Sequence, residues 1–366
     1  MDNIRTLAIP NNSRVIVISD IHGELELLIK LLDKVNFDEA DYLVINGDLC
    51  EKGSDSSGVV RYIMNLATTY PNVHVIEGNC DTLVEEVLNE NKEVIDYLIR
   101  RKRSLINEWL NQVGCYVDSS TNVQAIKETL IKHYPDEIAW LMNLPTAIET
   151  EDYIFVHAGL DNVSNWRETE RDTAFTLPSF LNKEHQAKQY VIVGHWPISN
   201  YSITIPDHLP IIDQQKKIIS IDGGNILKTT GQLNAFIIER TEKGDSFTYT
   251  SVDHFPVREV KQPYTADSKM LGCINYPNYE IEPMKRDIHF TWCNHPSTNH
   301  TLYVKNEYMV EQDGHFCVKD DLSCVQIDVK LGDKVAIIDD TCSGYDLIKK
   351  DGQVGWVPTG VFEDRR

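Results

Sequence analysis

Five short motifs set carboxylates, imidazoles and one amide where strand-like runs give way to loops. They are Asp20-Ile21-His22-Gly23, Gly47-Asp48-Leu49-Cys50-Glu51-Lys52-Gly53, Gly78-Asn79-Cys80-Asp81, Val156-His157-Ala158-Gly159 and Gly194-His195-Trp196-Pro197. Asp20, His22, Asp48, Asn79, His157 and His195 are the candidate metal ligands among them. Carboxylate and amide oxygens mixed with imidazole nitrogens form a borderline donor set, suited to manganese, iron or zinc more than to calcium. A carboxylate shared by two ions ~3.5–4 Å apart is what a two-metal phosphoester hydrolase requires, because the ion pair binds phosphoryl oxygens and acidifies a bridging water. Any one motif alone would be weak, since a lone Asp-x-His is more often a solvated loop and a lone histidine is more often structural. The ordered set of five, each at a strand end, is what points to chemistry.

The elements that must position these residues follow an α/β pattern. Residues 14–19, 42–46, 73–77, 153–156, 190–193 and 218–221 read as buried strands. Between them, Leu25, Leu28, Leu31, Leu32 and Val35 recur at helical spacing over 24–35, and 58–66 reads as a second helix. Ligands gather at strand C-termini in such sheets, and glycines beside them permit close backbone approach. Residues 82–144 read as a helical cap inserted between two strands. The basic run Arg100, Arg101, Lys102 and Arg103 within it reads as a solvated helix face, with steering or contact of an anionic substrate as the other reading. A catalytic domain is thus expected over 1–254, a β-rich connecting region over 255–324 and a small all-β module over 325–366.

The net charge of -21 argues against a general nucleic-acid or anionic-membrane binder, because the overall field repels phosphate backbones. It permits a phosphate-bearing ligand wherever metal ions invert the local field. No apolar run approaches the ~18 residues of a membrane span, and MDNIRTLAIPNNSR lacks the pattern of a signal peptide. With eight cysteines and no CxxC pair, reduced thiols and a cytoplasmic location are expected. Cys273, Cys293, His295, His300, Cys317 and Cys324 fall in one region but lack knuckle spacing, so they read as ordinary core and surface residues.

On these motifs, over about residues 14–250, the chain resembles the calcineurin-like metallophosphoesterases. Within them it is most similar to the phosphoprotein phosphatase branch of serine/threonine protein phosphatases and bacterial diadenosine tetraphosphatases. The resemblance implies a four-layer α/β/β/α sandwich with a helical cap. It also implies two divalent ions, manganese expected, with Asp20 and His22 on the first, Asp48 bridging, and Asn79, His157 and His195 on the second. Many phosphodiesterase relatives read Gly-His-x-His, whereas Trp196-Pro197 leaves position 197 without a donor. The final segment, with Gly332-Asp333, the turn at 352–355 and Gly355-Trp356-Val357-Pro358, resembles a bacterial SH3-like barrel, for which a peptide partner is one reading and a structural lid another.

Three positions depart from the family pattern. Cys80 stands where a histidine is thought to protonate the leaving group, with Glu51 at its acidic partner's position, and Lys52 replaces an arginine that clamps phosphate. Lysine keeps the charge but loses bidentate geometry. Arg167 and Arg171 are the candidates for a further phosphate-binding arginine, Arg167 being favoured. The expected activity is a metal-dependent phosphatase acting through a metal-bridging hydroxide, most like a serine/threonine protein phosphatase. Its substrate would be a phosphorylated protein or a small phosphate-bearing molecule. The alternatives are a symmetrical bis(5'-nucleosyl)-tetraphosphatase or nucleotide phosphatase and, from another class, a regulatory metal-binding protein that has lost turnover. Asp48, Glu51 and Cys80 are the catalytic candidates and Lys52, Arg167 and Arg171 the substrate-binding ones.

Overall fold

A computed structural model of the chain describes residue 1 and residues 3–267 and 270–362. Residues 363–366, the end of the expected SH3-like segment, lie outside that set. The chain divides into two compact units. One comprises Met1–Pro197, Pro210–Leu227 and Gln232–Asp253; the other comprises Ile198–Leu209, Lys228–Gly231 and the chain from His254.

Two mixed sheets form the middle of the first unit. One runs in the order Ser246–Val252, Leu233–Glu239, Arg14–Ile18, Tyr42–Asn46, Val73–Ile76. The other runs Ile4–Thr6, Ala147–Glu149, Tyr153–Val156, Tyr190–Val193, Ile218–Ser220, Ile211–Asp213. Strand alternation sorts their side chains into layers. Val15, Val17 and Val44 meet Phe155, Ile192 and Ile219 between the sheets. Ile16, Ile18, Leu43 and Ile45 face the helices Leu25–Lys34 and Ser56–Thr69. On the opposite side, Ile154, Val156, Val191 and Val193 are covered by Trp166, Ala174 and Phe180. The architecture is the expected layered α/β fold with a helical insertion.

Within each sheet the motif-bearing strands are parallel, so their C-terminal ends share an edge. Arg14–Ile18 pairs with Tyr42–Asn46, and that strand with Val73–Ile76. Tyr153–Val156 pairs with Tyr190–Val193, and that strand with Ile218–Ser220. The insertion contributes Leu83–Leu88, Glu93–Arg100, Leu105–Gln112, Val123–His133 and Pro135–Met142, whose apolar faces join the same core as the sheet helices. Contrary to the sequence reading, the basic run is not a helix face. Arg100 closes one helix, and residues 101–104 connect it to the next.

The second unit is rich in β-strands. A five-stranded sheet runs His300–Lys305, Phe290–His295, Glu280–Arg286, His315–Val318, Met309–Gln312. A four-stranded sheet runs Val257–Glu259, Lys334–Asp339, Tyr345–Lys350, Gln353–Pro358. Buried Trp356 and Leu347 of the latter share a core with Phe290 and Val304 of the former. No helix among the described residues is long and apolar enough to cross a membrane.

Candidate metal centre

The loops after the parallel strands turn sharply. Asp20 (φ 57°), His22 (φ 50°), Asp48 (φ 54°) and His195 (φ 64°) all occupy the left-handed region. Each such non-glycine residue stores roughly 1 kcal/mol or more, a cost tolerated where surrounding contacts over-determine the backbone. Gly47 shows how tight the crossing is, because a Cβ there would lie 2.7 Å from His157 Nδ1 and 2.8 Å from Gly78 Cα.

The two buried imidazoles are fixed through one nitrogen each. His22 Nδ1 lies 3.1 Å from the Cys50 carbonyl, so Nε2 points inward, 3.8 Å from Asp20 Oδ1 and 3.7 Å from Asp48 Oδ2. His157 Nδ1 donates to the Asn46 carbonyl at 2.9 Å, which directs Nε2 to 3.4 Å from Asp48 Oδ1. This is how metal-ligating histidines are oriented, a carbonyl setting the tautomer and aiming the free nitrogen. The Asn46 amide in turn donates to Val156 O (3.0 Å) and Ile192 O (3.3 Å), tying one sheet to the other beneath the centre.

The remaining ligand candidates close around the same point. The His195 ring meets that of His157 edge-on at 5.2 Å, and its backbone N–H donates to Asp20 Oδ2 at 3.0 Å. Asn79 Oδ1 is 2.9 Å from His195 Nδ1 and 3.2 Å from His157 Nε2. With its amide turned over, Asn79 donates to these nitrogens where they are unprotonated, and to the Phe175 carbonyl.

Burial and charge fit a cation as well. Burial lowers His22 to about 3 and His195 to about 4, so both are neutral and have lone pairs available. Burial opposes protonation of His157 too, but the charges of Asp48 and Asp20 raise it to about 10. The two carboxylates thus favour positive charge at this point, which a divalent ion would supply. His22 Nε2 is buried with no hydrogen-bond partner, and so is Asp222 Oδ2. The donor atoms of Asp20, Asp48 and His157 lie within 4.8 Å of one another, as do those of His22, Asp48 and Cys80. Asp48 belongs to both groups. All six expected ligands are therefore brought together, and the donor set fits a pair of divalent ions.

A family model described as calcineurin-like phosphoesterase matches residues 13–224, more than half of the chain. The chain belongs to the calcineurin-like phosphoesterase family. Among curated proteins it is similar to a symmetrical bis(5'-nucleosyl)-tetraphosphatase of Buchnera aphidicola, 33% identical over 143 residues, covering 37% of this chain and 50% of that protein. The chain thus spans about half the length of the curated relatives it matches first. One similar solved structure is described as a candidate diadenosine tetraphosphatase (21% identity, TM-score 0.44, 69% of this chain and 99% of that one). Another is a Saccharomyces cerevisiae serine/threonine phosphatase similar to human PP5 (12% identity, TM-score 0.43, 69% and 85%).

The chain's other candidates separate. Lys52 Nζ lies 3.5 Å from Cys80 Sγ, and the Cys80 N–H donates to Asp48 Oδ1 at 2.8 Å, so both border the centre. Burial, reinforced by Asp48, pushes the Cys80 thiol well above its usual range. Glu51 faces elsewhere, accepting from Tyr97 Oη and the Leu105 N–H at 2.8 Å each, which pins the helical insertion to the site loop. Arg171 is held by Glu77 (2.6 Å) and Glu85 (2.8 Å) near the Asn79 loop. Arg167 pairs with Glu149 and stacks 5.2 Å from Trp166.

Sequence reasoning passed over two supports. Asp81 accepts from the N–H groups of Asp48 (2.9 Å), Leu49 (2.9 Å) and Gly78 (2.9 Å), joining the second and third motif loops. It was in plain view as the last residue of Gly78-Asn79-Cys80-Asp81. Asn46, last residue of a strand, reads as a strand end, and nothing in the local pattern shows that its amide crosses between sheets.

Proposed function

We propose that this protein is a two-metal-dependent phosphoester hydrolase. Asp20, His22 and Asp48 would hold one ion, and Asp48, Asn79, His157 and His195 the other. The observation that carries this reading is that Asp48 turns Oδ2 toward His22 Nε2 at 3.7 Å and Oδ1 toward His157 Nε2 at 3.4 Å, so that its two oxygens face a ligand of each ion, as a bridging carboxylate requires. When bound, divalent ions, manganese foremost, supply Lewis-acid chemistry, polarising phosphoryl oxygens and making water nucleophilic at neutral pH. The chain's own contribution is orientation. The Cys50 and Asn46 carbonyls hold the two imidazoles so that neither can turn away. Lys52 brings an ammonium to the centre's edge, where a phosphoryl oxygen can accept from it. Cys80, at the leaving-group position, offers a thiol that burial keeps protonated and weakly acidic.

A weak proton donor favours leaving groups that depart without help. Phosphoanhydrides and aryl phosphates are then better substrates than serine phosphates. The tetraphosphatase names of the curated relatives agree with this preference. The serine/threonine phosphatase reading, expected first from the sequence, is placed second here; Trp196-Pro197 after the last histidine suits both readings and does not separate them. Residues 1–254 are proposed as the catalytic domain, with 255–324 as a β-rich connector and 325–366 as an SH3-like module. The strand Val257–Glu259 pairs with Lys334–Asp339 and so contributes to that module's sheet. Reduced thiols at the eight cysteines and a cytoplasmic location are part of this proposal. Assay of p-nitrophenyl phosphate, a dinucleoside tetraphosphate and a serine phosphopeptide with manganese tests the proposal. Hydrolysis in the order anhydride and aryl ester above phosphopeptide is expected. Bound metal without turnover of any of the three would favour the regulatory reading instead.

A further inference from the structure

The basic run of the helical insertion is exposed. Arg100, Arg101, Lys102 and Arg103, with Tyr97 and Lys52, line a cavity of about 570 Å³. Acidic residues outnumber basic ones by 56 to 35 in this chain, so four consecutive cations have many potential partners. Yet among the described residues no carboxylate forms an ion pair with any of the four. Within the chain Arg100 Nε donates to the Asp96 carbonyl at 3.2 Å, and the charge of the run is not neutralised by a carboxylate.

The backbone that presents them is fixed. The Asn107 side-chain amide donates to Leu98 O and Arg101 O, both at 2.9 Å. The Lys52 N–H donates to Arg103 O at 3.0 Å, which locks the run to the loop bearing Asp48. The Arg101 guanidinium lies 6.0 Å from the Tyr97 ring, and Tyr97 is itself held by Glu51. Lys52 is the common member, one wall of the cavity and 3.5 Å from Cys80 beside the metal ligands.

We infer that this cavity is a second anion subsite, which receives the distal phosphates of an oligophosphate chain whose nearer phosphorus lies at the metal centre. The inference rests on the hydrolase reading above and adds the substrate class to it. In the hydrolysis of such an anhydride, water oxygen bonds to phosphorus and the bridging P–O bond breaks. The bridging oxygen leaves with the electron pair on the distal fragment, and the water protons pass to the two phosphate products and solvent. Cations around the distal fragment stabilise that departing charge. The step then proceeds with only a thiol at position 80.

Calorimetric titration of the metal-free full-length chain with sodium tripolyphosphate and with orthophosphate tests binding. At least tenfold tighter binding of tripolyphosphate is expected, weakening as salt rises. ATP shares the chain of phosphates and adds a base; binding of both at least tenfold above orthophosphate is the expected result, and their ranking shows which source of the chain is preferred. With manganese present, Lys102→Glu lowers the ratio of kcat/KM for tripolyphosphate to that for p-nitrophenyl phosphate at least tenfold. Lys243→Glu makes the same charge change at an exposed turn outside the cavity and shifts the ratio less than twofold. Equal binding of tripolyphosphate and orthophosphate overturns the inference. So do equal effects of the two variants, or an acidic phosphopeptide that competes as well as tripolyphosphate. Absence of any p-nitrophenyl phosphate turnover would instead strike the hydrolase reading, and the titration would still decide the cavity's role.

Discussion

The two sides of the centre are built by different means. The side proposed to hold metal comes from strand ends: Asp20, His22, Asp48 and His157 are buried, and the Cys50 and Asn46 carbonyls hold the two imidazoles. The side that would face substrate comes from loops and the helical insertion: Lys52 is partly buried, and Arg100, Arg101, Lys102 and Arg103 are exposed. Binding ions requires fixed geometry, which sheets supply. Choosing a substrate requires only suitable charge at suitable reach, which an inserted segment can supply without disturbing the core. Changes on the first side should therefore abolish chemistry, whereas changes on the second should redirect it.

The largest effect is expected from the shared carboxylate. Asp48→Asn should lower turnover of p-nitrophenyl phosphate on the order of 10³-fold or more and reduce bound metal, measured by elemental analysis. One step outward, Asn46→Ala removes the amide bridging the sheets. A loss of about 10–100-fold in metal affinity is expected, read by titration with manganese. If Asn46→Ala, which keeps the backbone carbonyl that orients His157, binds metal like wild type, the amide joining the two sheets is not needed to hold the centre.

On the substrate side, Cys80→His should raise hydrolysis of a serine phosphopeptide relative to p-nitrophenyl phosphate, by about tenfold or more. An unchanged ratio would mean that position 80 does not reach the leaving group. Glu51→Gln separates structure from chemistry. Burial pushes Glu51 up to about 7. Its folded pKa is thus above the unfolded value, so its contribution is fully present below about pH 4.5 and is lost as pH rises through 7. Glutamine keeps one acceptor for the Leu105 N–H, and its amide can donate to Tyr97 Oη in place of the bond that Glu51 accepts, without the charge. The variant should gain stability over wild type between pH 5 and pH 8, on the order of 3 kcal/mol at most, measured by chemical denaturation at both pH values. The smallest effect belongs to Arg167, already paired with Glu149: Arg167→Ala should change kcat/KM less than about twofold.

How far this division was legible in the sequence follows from the same contrast. Ligand motifs sit at strand ends, and strands announce themselves through β-branched runs, so residues 42–46, 153–156 and 190–193 were found at their observed bounds. The left-handed turns at Asp20, His22, Asp48 and His195 were not legible, because no residue type there demands positive φ and only the packed loops impose it. Leu233–Glu239, which lies antiparallel beside Arg14–Ile18, was absent from the strand series even though it is an interior strand of its sheet. The basic run 100–103 was visible as charge, but its cavity depends on Asn107 and Lys52, contacts that spacing does not encode. Likewise Glu51 stood at a family position, yet its oxygens go to Tyr97 and Leu105, some 46 and 54 residues away.

The central claim is that Asp48 joins two ions in one centre. Titrating the metal-free chain with manganese while following both bound ion and p-nitrophenyl phosphate turnover tests it directly. Two ions per chain are predicted, with turnover appearing only as the second binds and with neither retained by Asp48→Asn. Full turnover with a single ion, or two ions held equally well by Asp48→Asn, would contradict the account.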